Sequence, residues 1–211
     1  MKGVTFGSYH SYSDLGMILS SKTIGSPSVK TSFIDVPGSD GKLDYTEYFG
    51  ESKYNNRTLS FEFILIGSDQ ISRYADIQNK LHGKKMNITL DEDTGFYYEG
   101  RLDVGDFSYD RGIGKIKLTA DCSPWKYKSQ ETTVTGTIVA SGTVTLSNLR
   151  KSVVPKVTTD AAVTLAWTGA SASLSAGSDQ VIPELVLPTG ETVLTVTGSA
   201  QISFTYREAS L

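Results

Sequence analysis

A chain of 211 residues with a net charge of −3 and a pI near 5.4 has the length for one large or two small domains and can bury a real core. Its charge balance excludes a general nucleic-acid binder, which needs a basic face, and no apolar run of about eighteen residues exists to make a transmembrane helix. The start, MKGVTFGSYHSY, shows neither the apolar stretch nor the cleavage site of a secretion signal, and the single Cys122 has no intramolecular disulfide partner, so synthesis in a reducing cytoplasm is expected.

Short apolar runs rich in Val, Thr and Tyr, separated by turn residues, predict a mainly β chain with one helix. Gly3–Phe6, Leu15–Leu19 and Val29–Val36 read as the first strands, with Pro27 fixing a turn. Pro37-Gly38 and Asp40-Gly41 then offer two reversals, because Pro presets φ and Gly accepts positive φ. Arg57–Ile66 is the next strand, with Leu59, Phe61, Phe63 and Leu65 on one face. Two strands normally need two to five residues to connect them, whereas about twenty lie between Val36 and Arg57. That segment carries Leu43, Tyr45, Tyr48, Phe49 and Tyr54, so it reads as an extended arm or a packed functional loop.

The helix is expected at Gln70–Leu81, capped by Ser68 or Asp69 and closed by Gly83. Its predicted core stripe is Ile71, Tyr74, Ile77, Gln78 and Leu81. Strands resume at Met86–Leu90 and Phe96–Val104 around the turn Asp91-Glu92-Asp93-Thr94-Gly95. Phe107–Tyr109 and Ile113–Cys122 form a hairpin around Asp110-Arg111-Gly112, with Ile116, Leu118, Ala120 and Cys122 facing the core. After Pro124-Trp125-Lys126-Tyr127-Lys128 the composition turns to Thr, Val, Ser, Ala and Gly. This shift predicts a boundary that divides the chain into domains 1–128 and 129–211. The second domain shows strands at Thr143–Leu146, Val153–Thr158, Val163–Trp167, Val181–Leu187, Thr192–Thr197 and Gln201–Tyr206. A hairpin turn is expected at Pro188-Thr189-Gly190-Glu191, and the whole suggests a β-sandwich.

Motifs that carry chemistry are lacking. No HExxH, paired Cys, phosphate-cradling glycine loop or nucleophile elbow occurs, so no catalytic, metal or cofactor-binding residues are assigned and an enzyme is not expected. His82 ends the helix, where an imidazolium favours the C-terminal dipole. Cys122 reads as a buried structural thiol, Asp91-Glu92-Asp93 as a solvated turn rather than a cation site, and Trp167 as core rather than a sugar platform.

The stretches KGVTFGSYHSYSDLGMIL, VPGSDGKLDYTEYFGESKYNNRTLSFEF, LHGKKMNITLDEDTGFYYEGRLDV, LTADCSPWKY and ISFTYREASL together resemble the distal tail proteins of long, non-contractile-tailed phages and prophages of Gram-positive bacteria. Ser123 departs from the acidic residue expected between Cys and Pro. The resemblance implies an N-terminal β-sandwich-like ring domain with one helix and an extended arm, followed by a C-terminal galectin-like β-sandwich. It implies a homo-hexamer, as a single or double ring at the virion tail tip, that joins the tail tube protein to the tail-associated lysin or fibre protein and to receptor-binding proteins. DNA would pass through such a ring without specific binding, and no membrane is involved. On this reading Pro37, Gly38, Asp40, Gly41, Tyr45, Tyr48, Phe49, Tyr54 and Arg57 belong to a subunit-interface arm that Val36-Pro37-Gly38 launches and Arg57 ends. Two other readings stand beside it: a carbohydrate-binding module using Trp167 and Tyr206, and a cell-wall hydrolase, for which no acid pair or metal pattern is visible.

Overall fold

A computed structural model of the chain describes residues 2–48, 50–110 and 112–211. Phe49 and Arg111, both singled out in the sequence, lie outside the described residues. The chain forms two compact units, Met1–Lys126 with Leu211, and Tyr127–Ser210.

Unit 1 contains β1 (Val4–Phe6), β2 (Tyr9–His10), β3 (Ile18–Ile24), β4 (Phe33–Asp35), β5 (Lys42–Asp44), β6 (Arg57–Leu65), α1 (Gln70–Leu81), β7 (Lys85–Leu90), β8 (Phe96–Asp110) and β9, which runs from Ile113 to Lys128. Its main sheet follows the order β2-β1-β7-β8-β9-β6-β3. In a flat sheet β1 and β6 would stand about 19 Å apart, four strand spacings. Instead the Phe6 ring meets those of Phe61 and Phe63, at centroid distances of 5.7 and 6.2 Å. The sheet therefore curls until its two ends face each other, and a sandwich-like core forms from a single ladder. Alternation drives the curl. Leu59, Phe61, Phe63 and Leu65 of β6 and Ile116, Leu118, Ala120 and Cys122 of β9 are buried in one cluster with Val4, Phe6, Ile77 and Leu81. Each large side chain so buried contributes about 1.5–3 kcal/mol.

Several expected boundaries move. Phe96–Val104 and Phe107–Tyr109 are one strand, β8, because nothing in Gly105-Asp106 breaks the ladder, and Lys117 O lies 2.9 Å from where a Cβ on Gly105 would sit. Leu15 and Met17 are buried but precede β3, which takes Ile18–Ile24 instead of Leu15–Leu19. Val29–Val36 does not enter the main sheet and is described below.

The helix spans Gln70–Leu81 as its spacing predicts, but its buried stripe is Gln70, Tyr74, Ile77 and Leu81. Ile71 is 76% exposed. The i, i+4, i+7, i+11 spacing keeps the first four together, whereas Ile71 and Ile77 stand about 120° apart around the axis. Gln70 takes the buried place because its Nε2 donates to the carbonyls of Gly67 at 2.8 Å and Gly112 at 2.9 Å. Asp69 occupies the N-cap without a side-chain cap bond; its Oδ1 accepts from Ser68 Oγ instead. Gly83 has the left-handed φ of +72° that ends the helix. His82 Nδ1 accepts the Val104 N–H at 3.1 Å, so its ring serves the neighbouring strand as well as the helix end.

Unit 2 is a sandwich of two four-stranded antiparallel sheets. One has the order β10 (Thr132–Ile138), β17 (Ala200–Tyr206), β12 (Lys156–Thr159), β15 (Gly177–Val181). The other has β11 (Ser141–Asn148), β16 (Gly190–Thr197), β13 (Val163–Trp167), β14 (Ala170–Leu174). A short β18 (Ala209–Ser210) follows. The core between the sheets includes Leu146, Val157, Leu165, Leu194, Val196 and Phe204. Thr132–Ile138 and Ala170–Leu174 are strands that the sequence reading passed over, since small polar residues dilute their apolar alternation. The expected strand Val181–Leu187 and hairpin at 188–191 are replaced by a crossover. β15 and β16 belong to different sheets, so the chain between them must cross the sandwich edge. Buried Leu185 and Leu187 hold that crossover, and Asn148 Nδ2 donates to the carbonyls of Lys151, Leu187 and Pro188.

Gly100 is packed closely against the backbone and side chain of β9. A Cβ there would lie 2.3 Å from Cys122 Sγ and 2.8 Å from the Asp121 carbonyl oxygen. Gly100→Ala is expected to destabilise the protein by about 1–3 kcal/mol, read as a lowered urea midpoint; an unchanged midpoint would refute this packing.

Candidate assembly arm

The segment between β3 and β6 leaves the main sheet as a two-stranded ribbon. At its root Gly25 N donates to Thr58 O at 2.9 Å, and a Cβ on Gly25 would stand 2.7 Å from that oxygen. The rungs then climb outwards. Asn55 N donates to Ser28 O at 2.9 Å, Val29 bridges Tyr54, and Lys30 N donates to Lys53 O at 2.8 Å. Further out Tyr45 N donates to Ser32 O at 2.8 Å, and β4 and β5 pair as Phe33↔Asp44, Ile34↔Leu43 and Asp35↔Lys42. Pro37–Gly41 closes the far end, with Gly38 and Gly41 at φ +82° and +75°.

The arm is thus longer than its spacing suggested, and it begins elsewhere. Pro37-Gly38 is its tip, and the root lies near Gly25 and Asn56. The β-branched run Val29–Val36 is the outgoing strand. Its composition reads the same whether the partner is a core sheet or its own return strand.

The two ribbon faces differ. Directly opposed residues share a face, so Ile34 and Leu43 lie together, with Val36 and Tyr45 in the same parity. Phe33, Asp44, Asp35 and Lys42 occupy the other face, where Lys42 Nζ is 3.7 Å from Asp35 Oδ2. Phe33, Ile34, Val36 and Leu43 are all exposed. They were not singled out as interface residues from the sequence, although consecutive Phe33-Ile34 breaks the one-face-wet alternation of a core strand and was a readable signal.

Between the rungs at Ser32 and Lys30 the return strand throws out a side loop. Thr46 N donates to Asp44 Oδ1 at 2.8 Å, and Thr46 Oγ1 accepts the Ser32 N–H at 3.1 Å. The Thr46 side chain and then its N–H hold the Asp44 carboxyl below its ordinary range. Tyr48, 70% exposed, tilts against Tyr45 at 5.3 Å. Tyr54 sets its ring edge-on to Trp125 at 5.5 Å, so it anchors the root to unit 1. Arg57 is 5% exposed, opposite Cys122 in the ladder and over the Tyr98 ring at 5.5 Å, which makes it part of the core rather than of the projecting arm. Pro37, Gly38, Asp40, Gly41, Tyr45 and Tyr48 therefore project on the ribbon, while Tyr54 and Arg57 sit at its base.

The remaining sequence candidates have structural partners. Asp91 Oδ2 accepts from Gly3 N at 2.6 Å and lies 3.1 Å from His10 Nε2, Glu92 pairs with Lys22 and Lys2, and Asp93 pairs with Lys126. The acidic turn is a staple to neighbouring strands rather than a merely solvated loop. Among the described residues no group of His, Cys, Asp and Glu is arranged to hold a metal. Burial pushes the Cys122 thiol up to about 12, an inert value. Trp167 packs on the unit 2 core, and Tyr206 is 3% exposed with its hydroxyl donating to Ser147 O at 2.6 Å. Among the described residues no helix is long and apolar enough to cross a membrane.

The chain thus consists of two β units, one of which carries an exposed two-stranded ribbon. Residues 6–112, half of the chain, match the phage tail protein RIFT-related domain, and the chain belongs to that family. No curated protein matches it in sequence. Among solved structures it is similar to the Dit protein of phage SPP1, described as a paradigm of the hub adsorption apparatus in phages infecting Gram-positive bacteria. The TM-score is 0.70 and the identity 19%, with 100% of both chains covered. The expected fold class is the one found: mainly β, one helix, an extended arm and a C-terminal galectin-like sandwich. The chain is a structural component of a phage tail.

The Asp91 staple yields a pH test. Burial alone would raise this carboxyl, but the His10 and Gly3 hydrogen bonds and the nearby positive charges outweigh it and hold it below 3.8. A depressed carboxylate stabilises the fold above its unfolded pKa, and that stabilisation is lost as pH falls through the folded value. Asp91→Asn should therefore lower the urea midpoint at pH 7, and the difference from the parent protein should shrink as the pH falls through the depressed value of the folded carboxyl. A difference that persists undiminished at low pH would disprove the staple.

Proposed function

We propose that this protein is the hub of a phage tail tip. On this reading residues 1–128 build a hexameric ring, single or doubled back-to-back, and residues 129–211 form an outward galectin-like domain. The ring joins the tail tube protein on one side to the tail-associated lysin or fibre protein on the other, and it carries the host-recognition apparatus at the virion tail tip. DNA crosses its lumen without specific binding.

The observation that carries the proposal is the ribbon. An isolated two-stranded hairpin is marginal in water, and exposed ladder edges are places where another chain pairs. This one keeps Ile34, Val36 and Leu43 on one face with no cover from its own unit. A head-to-tail contact between identical chains closes into a ring when its rotation allows, which is the economical use for such an arm. The SPP1 Dit protein, which shares the fold, is itself described as belonging to a hub.

The sugar-binding reading is less well supported. A groove of about 700 Å³ lies on unit 2, lined by Thr135, Thr137, Thr158, Asp160, Gln201 and Ser203 among others, but its lining contains no aromatic ring on which a sugar could stack. Tyr206, one of its two candidate platforms, points its hydroxyl inward.

Excising residues 31–52 joins the arm where Lys30 N already meets Lys53 O at 2.8 Å, so the root is kept. Negative-stain images of the parent protein should show six-fold rings. The excised variant should elute as a monomer while keeping the thermal transition of unit 2. Rings that survive the excision would end the proposal that the arm assembles them.

A further inference from the structure

The turn after β2 is built around one imidazole. His10 Nδ1 receives the Tyr12 N–H at 3.3 Å and the Ser13 N–H at 3.2 Å, with Ser13 Oγ also 3.3 Å away. A backbone N–H only donates, so Nδ1 is the bare nitrogen and the ring proton sits on Nε2. That second nitrogen faces Asp91 Oδ2 at 3.1 Å. Main-chain bonds close the same turn: His10 N donates to Asp14 Oδ2 at 2.7 Å, Asp14 N to His10 O at 3.1 Å, and Gly16 N to Tyr12 O at 3.0 Å. Through this turn Leu15 and Met17 reach the core, and Arg73 of α1 donates to the carbonyls of Gly16 and Ile66.

We propose that His10 is an acid-released latch: a proton on Nδ1 frees the 11–16 turn while the ring stays on Asp91. An imidazolium carries a proton on both nitrogens and accepts no hydrogen bond. Charging His10 therefore sets an N–H against the N–H groups of Tyr12 and Ser13, and those two bonds break. The other side of the ring gains, because its contact with the Asp91 carboxylate becomes a charged pair. The ring has little room to follow the turn, since a Cβ on Gly3 would lie 2.6 Å from His10 Nε2 and the chain entering β1 backs it directly. Tyr12, Ser13 and Asp14, by contrast, are exposed and free to swing outwards. The His10 side chain is 25% exposed, so bulk protons reach it. The charges around it come from several segments. Asp14 lies in the turn itself, and Asp91 and Glu92 follow β7. Lys2 and Lys22 hold Glu92, Lys80 of α1 stands over the Tyr9 ring, and the amino-terminal charge acts on Asp91. The Asp91 carboxyl is held below its ordinary value and stays ionised across the range in which histidines titrate, so the latch opens while the staple still holds.

Hydrogen exchange of the full chain, read by mass spectrometry on the peptide spanning residues 11–16, tests the latch. Between about pH 8 and about pH 5, protection corrected for the intrinsic pH dependence of exchange should fall about ten-fold in the parent protein, as two backbone hydrogen bonds are lost. His10→Asn puts a non-titrating Oδ1 in the place of Nδ1 and should keep that protection at both pH values. His82→Gln, which changes the other histidine of the chain, should lose it as the parent does. Parent protection that is the same at both pH values, or an equal fall in His10→Asn, would overturn the latch, and so would a His82→Gln protein that stays protected. The parent and His82→Gln comparison decides the matter even where His10→Asn fails to show a cooperative thermal transition.

Discussion

A ribbon of two strands has two faces and no interior, so the apolar side chains of β4 and β5 leave water only against something beyond the ribbon. Ile34 and Leu43 meet across the ladder, yet each remains exposed because no third layer among the described residues covers them. The rest of unit 1 reads as a mount for this ribbon. Gly25, which permits the chain to pass against Thr58 O, and the Tyr54–Trp125 contact clamp its root. Buried Arg57 then commits the returning strand to the core.

The mount is rigid because the main sheet curls onto itself. Contact between Phe6 and Phe61 joins strands that are four places apart in the ladder, and α1 supplies Ile77 and Leu81 to the same cluster. Such a core transmits position from one end of β6 to the other without bending. The acidic turn after β7 adds to this stiffness, since Asp91, Glu92 and Asp93 each pair with a different segment. What read as a solvated turn in the sequence is a set of tethers.

Much of the fold was readable before any coordinates. The alternation of β6 and β9, the length of α1, and the buried, inert Cys122 follow from local periodicity, and the structure keeps them. The arm was readable as an anomaly of spacing, but its root and tip were misplaced. Val29–Val36 has the composition of a core strand, and only the absence of a core beside it makes it an arm. Ile71 and Gln70 exchanged roles for a similar reason. Hydrophobicity assigned Ile71 to the buried stripe, whereas the carbonyls of Gly67 and Gly112 gave a buried amide two acceptors that no helix pattern foresees. In unit 2 the supposed hairpin at 188–191 became a crossover because strand partners are chosen across the sandwich, not along the chain.

By itself the sequence determined the class of fold, the face of each long strand that is buried, the helix and its glycine stop, and the presence of a long aromatic insertion. These are short-range properties, set by a period of two or 3.6 residues and by the φ that Gly or Pro permits. Tertiary structure alone decided which strands pair, where the insertion is rooted, and which apolar residues remain uncovered. Those outcomes depend on contacts between segments tens of residues apart. The exposed apolar face of the ribbon exists because Ile34 and Leu43 are brought opposite each other and no further strand among the described residues lies over them.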